Sequence, residues 1–200
     1  MPKRSPQLTV VFSHENRFGK RYFLYAGKTR RGNPAYHFST KAEPNPLSEI
    51  PAGYEVLEKP NGQVFLRKPP KKLIHDDELE TIRTELAKYP KCKGVIVEVE
   101  RGLVTLHCPD TGSLDRLYEA LPFPLIRGAT WEEYRIKHAT YTPMMRFVLL
   151  DKTARTFQTE RYCFRGSIDR WIDVGRPGGL AALCRLYVRH LGEESFYELM

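Results

Sequence analysis

The sequence lacks the motifs by which nucleotide-binding proteins and hydrolytic enzymes are commonly recognised. It contains no G-x-x-x-x-G-K-[ST], no G-x-G-x-x-G and no G-x-S-x-G string, so a phosphate-binding loop and a nucleophile elbow have no support in the sequence. Internal repeats and low-complexity tracts are also missing, which argues against a solenoid or a repeat array. We therefore predict no catalytic residue and no cofactor.

Long apolar runs and closely spaced cysteines are missing as well. The apolar run at residues 8–12 is shorter than the core of a secretory signal, and no later run approaches the ~18 residues of a membrane span. The cysteines lack the close pairing of a zinc ribbon or a redox dithiol, since they lie far apart at Cys92, Cys108, Cys163 and Cys184. We expect a cytoplasmic protein with free thiols, no bound metal and no membrane contact.

Positive charge is concentrated in the first third of the chain. The net charge is +8, and residues 1–72 hold 14 Lys and Arg against 5 Asp and Glu, whereas residues 73–200 hold 18 against 19. A clustered positive field attracts anions and bears on partners rather than on fold. We therefore expect this region to bind either nucleic acid or an acidic protein surface. The sequence does not fix an oligomeric state.

Turn signals between short apolar segments predict an α+β protein with antiparallel, hairpin-built sheets and three or four short helices. Residues 21–26 and 35–39 have the composition of strands, and Pro60 and Gly62 fit the turn of a hairpin that pairs Val56 with Leu66. A second hairpin around residues 101–102 pairs Val97 with Leu106. Its alternation predicts one apolar face, which includes Cys108, and one partly solvated face, which includes Glu98.

The second half of the chain is predicted to contain a further hairpin and the helices. Residues 145–150 and 155–162 form the hairpin, residues 113–121 a short helix, and residues 180–191 a terminal helix that Gly192 closes. Asp76 can cap a helix whose apolar residues recur at helical spacing up to Pro90. Residues 175–179 are predicted to form a turn.

The connector K-P-P-K-K at residues 68–72 is the best candidate boundary, because its prolines cannot join a sheet ladder and because the charge sign changes beyond it. It divides the chain into a basic, aromatic, β-rich region at residues 1–72 and a mixed α+β region at residues 73–200. One compact domain overall is the alternative organisation.

Basic and aromatic residues alternate closely within the first region. Cations neutralise phosphates while exposed rings stack on unpaired bases, so this composition favours single-stranded nucleic acid. The predicted base-stacking residues are Tyr25 and Tyr36. The predicted anion-binding residues are Lys20, Arg21, Lys28, Arg30, Arg31, Arg67, Lys68, Lys71 and Lys72. A basic face that is merely solvated explains the same residues.

Two further functional hypotheses remain open. The chain is either an interaction subunit of a bacterial assembly whose basic third docks on an acidic protein, or an enzyme of unrecognised type. The enzyme hypothesis places a site near Cys163 and Arg165, where a cation could activate a neighbouring thiol.

The hairpin at residues 50–68 resembles one that recurs in a family of uncharacterised bacterial proteins. The resemblance rests on G-Y-E-V at residues 53–56 and P-N-G-Q-V-F-L-R-K at residues 60–68, and residues 145–148 and 163–167 extend it. That family has no known activity. The resemblance implies a bacterial, cytosolic protein and indicates nothing about catalysis.

Overall fold

The described strands pair antiparallel with their neighbours, and most of these pairs are hairpins. The computed structural model describes residues 11–121, 128–165 and 168–200. Within these ranges it contains ten strands and four α-helices, and its sheets are antiparallel, which confirms the predicted α+β class. The chain separates into two compact units, Met1–Pro69 and Pro70–Met200. The division lies within the proline-rich connector.

The first unit contains a three-stranded sheet and a separate hairpin. The sheet has the order β1-β2-β3, formed by Ser13–Glu15, Arg21–Lys28 and Pro34–Ser39, and the hairpin consists of β4 (Glu55–Glu58) and β5 (Val64–Arg67). Val56 pairs with Leu66 as predicted, and Gly62 in the turn has a φ of 74°. The segment at residues 42–51, which contains Pro44, Pro46 and Pro51, forms no strand.

The second unit contains a five-stranded sheet with the order β10-β9-β8-β7-β6. Its strands are β6 (Ile96–Glu100), β7 (Leu103–Asp110), β8 (Thr140–Asp151), β9 (Thr156–Arg165) and β10 (Ile168–Gly179). The helices of this unit are α1 (Asp76–Ala87), α2 (Gly112–Glu119), α3 (Ala129–His138) and α4 (Leu180–Tyr187), with 3-10 helices at Pro90–Cys92, Val188–His190 and Glu194–Glu198.

One face of the five-stranded sheet forms the core with α1 and α4. Val97 pairs with Leu106 as predicted, and the next strand places Phe147 beside Val104. Val104, Leu106 and Phe147 are fully buried. They join a cluster that includes Ile82 of α1 and the core-facing residues of α4.

The opposite face carries polar side chains in one register row. Glu98, Thr105, Arg146, Glu160 and Asp173 pair across the five strands in that order. Glu98 lies on this partly solvated face as predicted, and it is half-buried there: its carboxylate lies 2.9 Å from the imidazole of His107, and the two side chains are 16% and 11% exposed.

Two elements of the second unit were not predicted. The segment predicted to be a turn at residues 175–179 belongs to β10, which runs antiparallel to β9 with a register shift between Val174 and Gly178. The helix α3 was not predicted at all. In α1 the N-cap is His75 rather than Asp76, and the backbone N–H of His75 donates to the Glu78 carboxylate over 2.8 Å.

The terminal helix is shorter than predicted and is followed by an ordered segment. The α-helical part ends at Tyr187, and Gly192 adopts a φ of 77° after the 3-10 turn. Arg161, which is 6% exposed, donates from Nε to the carbonyl of Leu199 over 2.7 Å and from a terminal nitrogen to the carbonyl of Tyr197 over 3.1 Å. These bonds satisfy a buried cation that would otherwise be costly.

Two substitutions on β8 test the assignment of the core face. Phe147→Ala removes a fully buried ring and should lower the free energy of unfolding by about 3–5 kcal/mol. Leu150→Ala truncates a side chain that is 56% exposed and should change it by at most about 0.5 kcal/mol. Chemical denaturation measures both values. Similar losses for the two variants would contradict the assigned face.

Candidate anion-binding site

The turn between β2 and β3 is a well-ordered hairpin tip. The ladder ends where Lys28 pairs with Pro34. Beyond it the Thr29 N–H donates to the Asn33 carbonyl over 2.9 Å, and the Asn33 N–H donates to Oγ1 of Thr29 over 3.1 Å. Gly32 has a φ of 81°, a conformation that glycine adopts without strain. These bonds fix the backbone from which the basic side chains of the turn extend.

The hairpin tip presents three cations to solvent. Every residue from 26 to 34 is exposed. Lys28, Arg30 and Arg31 form no ion pair with any residue that the structure describes. Their charge is therefore not neutralised within the described chain, and like charges on one short turn raise the local positive potential. We refer to Lys28, Arg30 and Arg31 as the cationic tip.

The other predicted cations of the first unit differ in availability. Lys20, Arg21 and Lys68 are exposed, and Arg21 approaches the Glu15 carboxylate only to 3.8 Å. Arg67 instead donates from Nε to Glu55 over 2.8 Å across the β4–β5 hairpin. Because that carboxylate already balances its charge, Arg67 is less suited to an anionic ligand than the prediction assumed.

Lys71 and Lys72 belong to the second unit and are both exposed. The ammonium of Lys72 lies 2.5 Å from the Asp76 carboxylate, and this interaction lowers the pKa of Asp76. Asp76 therefore stays ionised and holds Lys72 in an ion pair near the start of α1. Of these two lysines, only Lys71 has no ion-pair partner among the residues described.

Tyr25 does not present its ring to solvent, which corrects its assignment as a base-stacking residue. It is 3% exposed, and its hydroxyl donates to the Lys41 carbonyl and accepts from the Glu43 N–H over 3.3 and 3.0 Å. Its ring stacks on His37 with 5.6 Å between centroids. Hydrogen bonds from Ser39 and His37 lower the pKa of the Glu43 carboxyl, so a negative charge lies beside this cluster.

Tyr36 is half-buried and contacts a second tyrosine. Its ring meets that of Tyr54 edge to face, with centroids 5.1 Å apart. The ammonium of Lys68 lies 5.9 Å from the Tyr54 centroid. Tyr36 is therefore the one predicted stacking residue whose ring is still partly accessible.

Asn16 organises the neighbouring turn, a role that the sequence analysis missed. It is 6% exposed. Its Nδ2 donates to the Gly62 carbonyl over 2.8 Å, while its Oδ1 accepts from the backbone N–H groups of Phe18 and Lys20 over 3.1 and 2.9 Å. A side chain at Gly62 would collide with the Phe18 ring 2.6 Å away. An asparagine followed by a turn glycine at Gly19 was the signal available in the sequence.

The cysteines provide no exposed nucleophile in the part of the chain that is described. Burial raises the pKa of Cys92 to about 11 and those of Cys108 and Cys184 to about 12. Cys163 is 6% exposed and lies within β9 opposite Arg170. The side chain of Arg165 lies outside the described residues, so its pairing with Cys163 stays a prediction.

The described residues contain no group of three or more His, Cys, Asp or Glu side chains that could hold a metal ion. None of their helices is both long enough and apolar enough to cross a membrane.

Comparison with known proteins identifies no relative, since no family model, no curated protein and no solved structure matches the chain.

The thiol pKa values generate a prediction about reactivity. At pH 8 the raised pKa of Cys92 leaves about a hundredfold less thiolate than an ordinary cysteine has. We expect the native protein to react slowly with a disulfide reagent and the denatured protein to react rapidly at all four cysteines. The native rate should rise about tenfold per pH unit below the thiol pKa. One native thiol that reacts at the rate of free cysteine would contradict this prediction, and its assignment to Cys163 would favour the enzyme hypothesis.

Proposed function

We propose that the chain binds nucleic acid and that phosphate groups contact the cationic tip of the β2–β3 hairpin. One observation carries the proposal: Lys28, Arg30 and Arg31 lie within four residues at one hydrogen-bonded hairpin tip, are exposed, and form no ion pair with the described chain. Like charges placed close together do not stabilise the folded state. Neutralising phosphates with Lys and Arg, in contrast, releases counterions and strengthens binding.

The chemistry of the tip suits a partner that presents oxyanions, such as phosphate groups. Two of its three cations are arginines, whose planar guanidinium groups can donate two parallel hydrogen bonds to one phosphate. Residues 26–34 are exposed on both strands of the hairpin, so the phosphate backbone of a nucleic acid can approach the hairpin tip from either side. Lys20, Arg21 and Lys68 supply further exposed charge within the same unit.

The preference for single strands rests on Tyr36 alone, because Tyr25 is buried. A partly accessible ring beside a basic turn can stack on an unpaired base, whereas a paired base within a duplex offers no free face. We propose that Tyr36 gives the hairpin its preference for single-stranded nucleic acid. An acidic protein surface is the competing partner for the same tip.

Charge reversal of the cationic tip tests the proposed function. The triple substitution Lys28→Glu, Arg30→Glu and Arg31→Glu should abolish or strongly weaken binding of a labelled oligonucleotide in fluorescence anisotropy. The melting temperature should not change, because all three side chains are exposed. Each phosphate contact with a single strand contributes about −0.7 to the slope of log K against log salt, so losing three contacts should flatten the slope by about two.

A matched triple variant controls for net charge. Lys152→Glu, Arg170→Glu and Arg176→Glu reverse three exposed cations of the second unit that form no ion pair with the described chain, and this variant should retain the wild-type salt slope. Equal weakening by both triple variants would mean that overall charge, rather than the hairpin tip, attracts the oligonucleotide. Absence of wild-type binding at low salt would refute the proposal and favour an acidic protein partner.

Tyr36→Ala tests the proposed stacking on bases. We expect it to weaken single-strand binding by about 1–3 kcal/mol, to leave duplex binding nearly unchanged, and to leave the salt slope intact because no phosphate contact is removed. Tyr36→Phe keeps the ring and should behave like the wild type. Equal losses for single and double strands would show that Tyr36 acts through its contact with Tyr54 rather than by stacking.

A further inference from the structure

A groove of about 610 Å³ lies in the second unit between the C-terminal half of α1 and the start of β6. Leu86 and Tyr89 form its wall on the helix side, and Val95 and Val97 form its wall on the strand side. Arg83 and Lys93 lie at its rim, and both side chains are exposed. The groove therefore combines an apolar interior with positive charge at its opening.

Beside this groove, the outer side of β6 carries backbone groups that pair with no strand among the described residues. Glu100 and Leu103 flank the two-residue turn of the β6–β7 hairpin and pair directly. In an antiparallel pair, alternate residues direct their N–H and C=O groups toward the neighbouring strand. Glu100, Glu98 and Ile96 therefore face β7, while Val99 and Val97 direct their backbone groups outward. No described strand lies beyond β6.

The two edges of the five-stranded sheet differ in how they are protected. The outer strand β10 carries exposed charges at Asp169, Arg170 and Asp173 and a register shift that includes Pro177. Charges, proline and irregular pairing are the features that prevent a sheet edge from accepting another strand. In contrast, β6 pairs regularly along its length and has neither proline nor a bulge, and its protective features are its length of five residues and the charges of Glu98 and Glu100. Its outer side pairs with no described strand.

The charges at the rim indicate what such a strand would carry. Lys93 has no ion-pair partner among the described residues, and Arg83 approaches the Glu80 carboxylate only to 3.9 Å with both side chains exposed. An exposed pair at that distance contributes little. A carboxylate between Arg83 and Lys93 would therefore gain two charge partners at little cost to existing contacts.

We propose that this groove binds an extended peptide segment of a partner protein, which adds as a strand to β6. The peptide backbone bonds to the outward N–H and C=O groups of Val97. An apolar side chain of the peptide fills the cavity beside Leu86 and Tyr89, and an acidic side chain or a terminal carboxylate lies between Arg83 and Lys93. Strand addition takes affinity from the backbone and specificity from alternate side chains.

Two other occupants fit the groove less well. An anionic amphiphile could fill the apolar cavity, but it would cover the outward backbone groups of Val97 without bonding to them, which is costly. A second copy of the chain could pair β6 with β6. Registers centred on Glu98 and on Val99 set Glu98 opposite Glu98 and Glu100 respectively, and like charges directly opposed destabilise a strand pair. The register centred on Val97 sets Glu98 opposite Ile96 instead, and sedimentation analysis distinguishes such a dimer from peptide binding.

Selection from a phage-displayed random peptide library on the full chain tests the proposal. We expect enriched sequences in which apolar and acidic residues alternate. A fluorescein-labelled copy of the enriched peptide then gives a dissociation constant by anisotropy. Val97→Pro removes the outward N–H without removing a bond of the β6–β7 ladder, a position at which proline is tolerated. It should weaken peptide binding about tenfold, the effect of one lost hydrogen bond.

A charge test on the rim keeps the proposal falsifiable if Val97→Pro fails to fold. The double variant Arg83→Glu, Lys93→Glu should weaken the peptide at least tenfold and reduce the salt dependence of binding. The matched double variant Lys152→Glu, Arg176→Glu should bind it like the wild type. Melting temperatures of all variants identify any loss that is due to unfolding.

Three outcomes would overturn the proposal. The first is a library that yields no enriched peptide, and the second is an enriched peptide that binds the rim variant and the wild type equally. The third is a wild-type dimer in sedimentation analysis that Val97→Pro dissociates, which would assign the β6 edge to a second copy of the chain. If the library yields no peptide and calorimetry shows that the protein binds dodecanoate, the groove would be assigned to an amphiphile.

Discussion

The alternation of side chains along the regularly paired parts of the five-stranded sheet is the constraint on which the second unit depends. One register row places Val104, Phe147, Thr159 and Val174 side by side across four strands, and all four are fully buried. A slip of one residue in any strand would turn its neighbours from the opposite face, such as Arg146 and Glu160, into the core. The energetic cost of burying those charges fixes the register. The positions of α1 and α4 follow from the apolar face that this register creates.

Arg161 is a charged residue on the apolar face of the sheet, and its position explains how the end of the chain is held. It lies opposite Met145 on the core face and is almost fully buried. A buried guanidinium must have acceptors, and the carbonyls of Tyr197 and Leu199 supply them. These bonds hold the last 3-10 helix against the sheet, and Phe196 of that helix is 1% exposed. A polar residue within the core thus positions the same segment that Phe196 anchors by its own burial.

Local signals in the sequence were sufficient to predict most hairpins and α1. The turn residues Pro60, Gly62 and Gly102 and the alternation of Val97, Val99, Val104 and Leu106 depend only on neighbours in the chain, and their predicted pairings are confirmed. The strand β10 could not be recognised in the same way. It contains Pro177 and three glycines, and it is a strand because β9 pairs with it over nearly its whole length. Tertiary pairing overrides local propensity there.

The candidate site shows the same limit for its aromatic rings, because their exposure depends on tertiary contacts. Both faces of β2 and β3 carry aromatic rings, so their sequences cannot tell which rings are covered. The structure buries Tyr25 and leaves Tyr36 half-buried. The ion pairs of Arg67 with Glu55 and of Lys72 with Asp76 are local by comparison, since they span 12 and 4 residues. The groove beside β6 is formed by a helix and a sheet edge, and neither segment shows in isolation that the other will lie beside it.

The cations of this protein fall into two groups. Those that are partly buried are paired and stabilise the fold, whereas those of the cationic tip are exposed and form no ion pair with the described chain. Arg146, Arg155 and Arg161 are less than a third exposed, and each contacts a carboxylate or carbonyl groups. Desolvation enforces this pairing, because a partly buried cation without a partner destabilises the folded state. No such penalty applies to the cationic tip, where water solvates each charge. Mutual repulsion would favour spreading Lys28, Arg30 and Arg31 over the surface, yet they lie within four residues at one hairpin tip whose backbone is fixed by its own hydrogen bonds. Because the fold neither requires nor favours this arrangement, an anionic partner is the explanation that we propose for it.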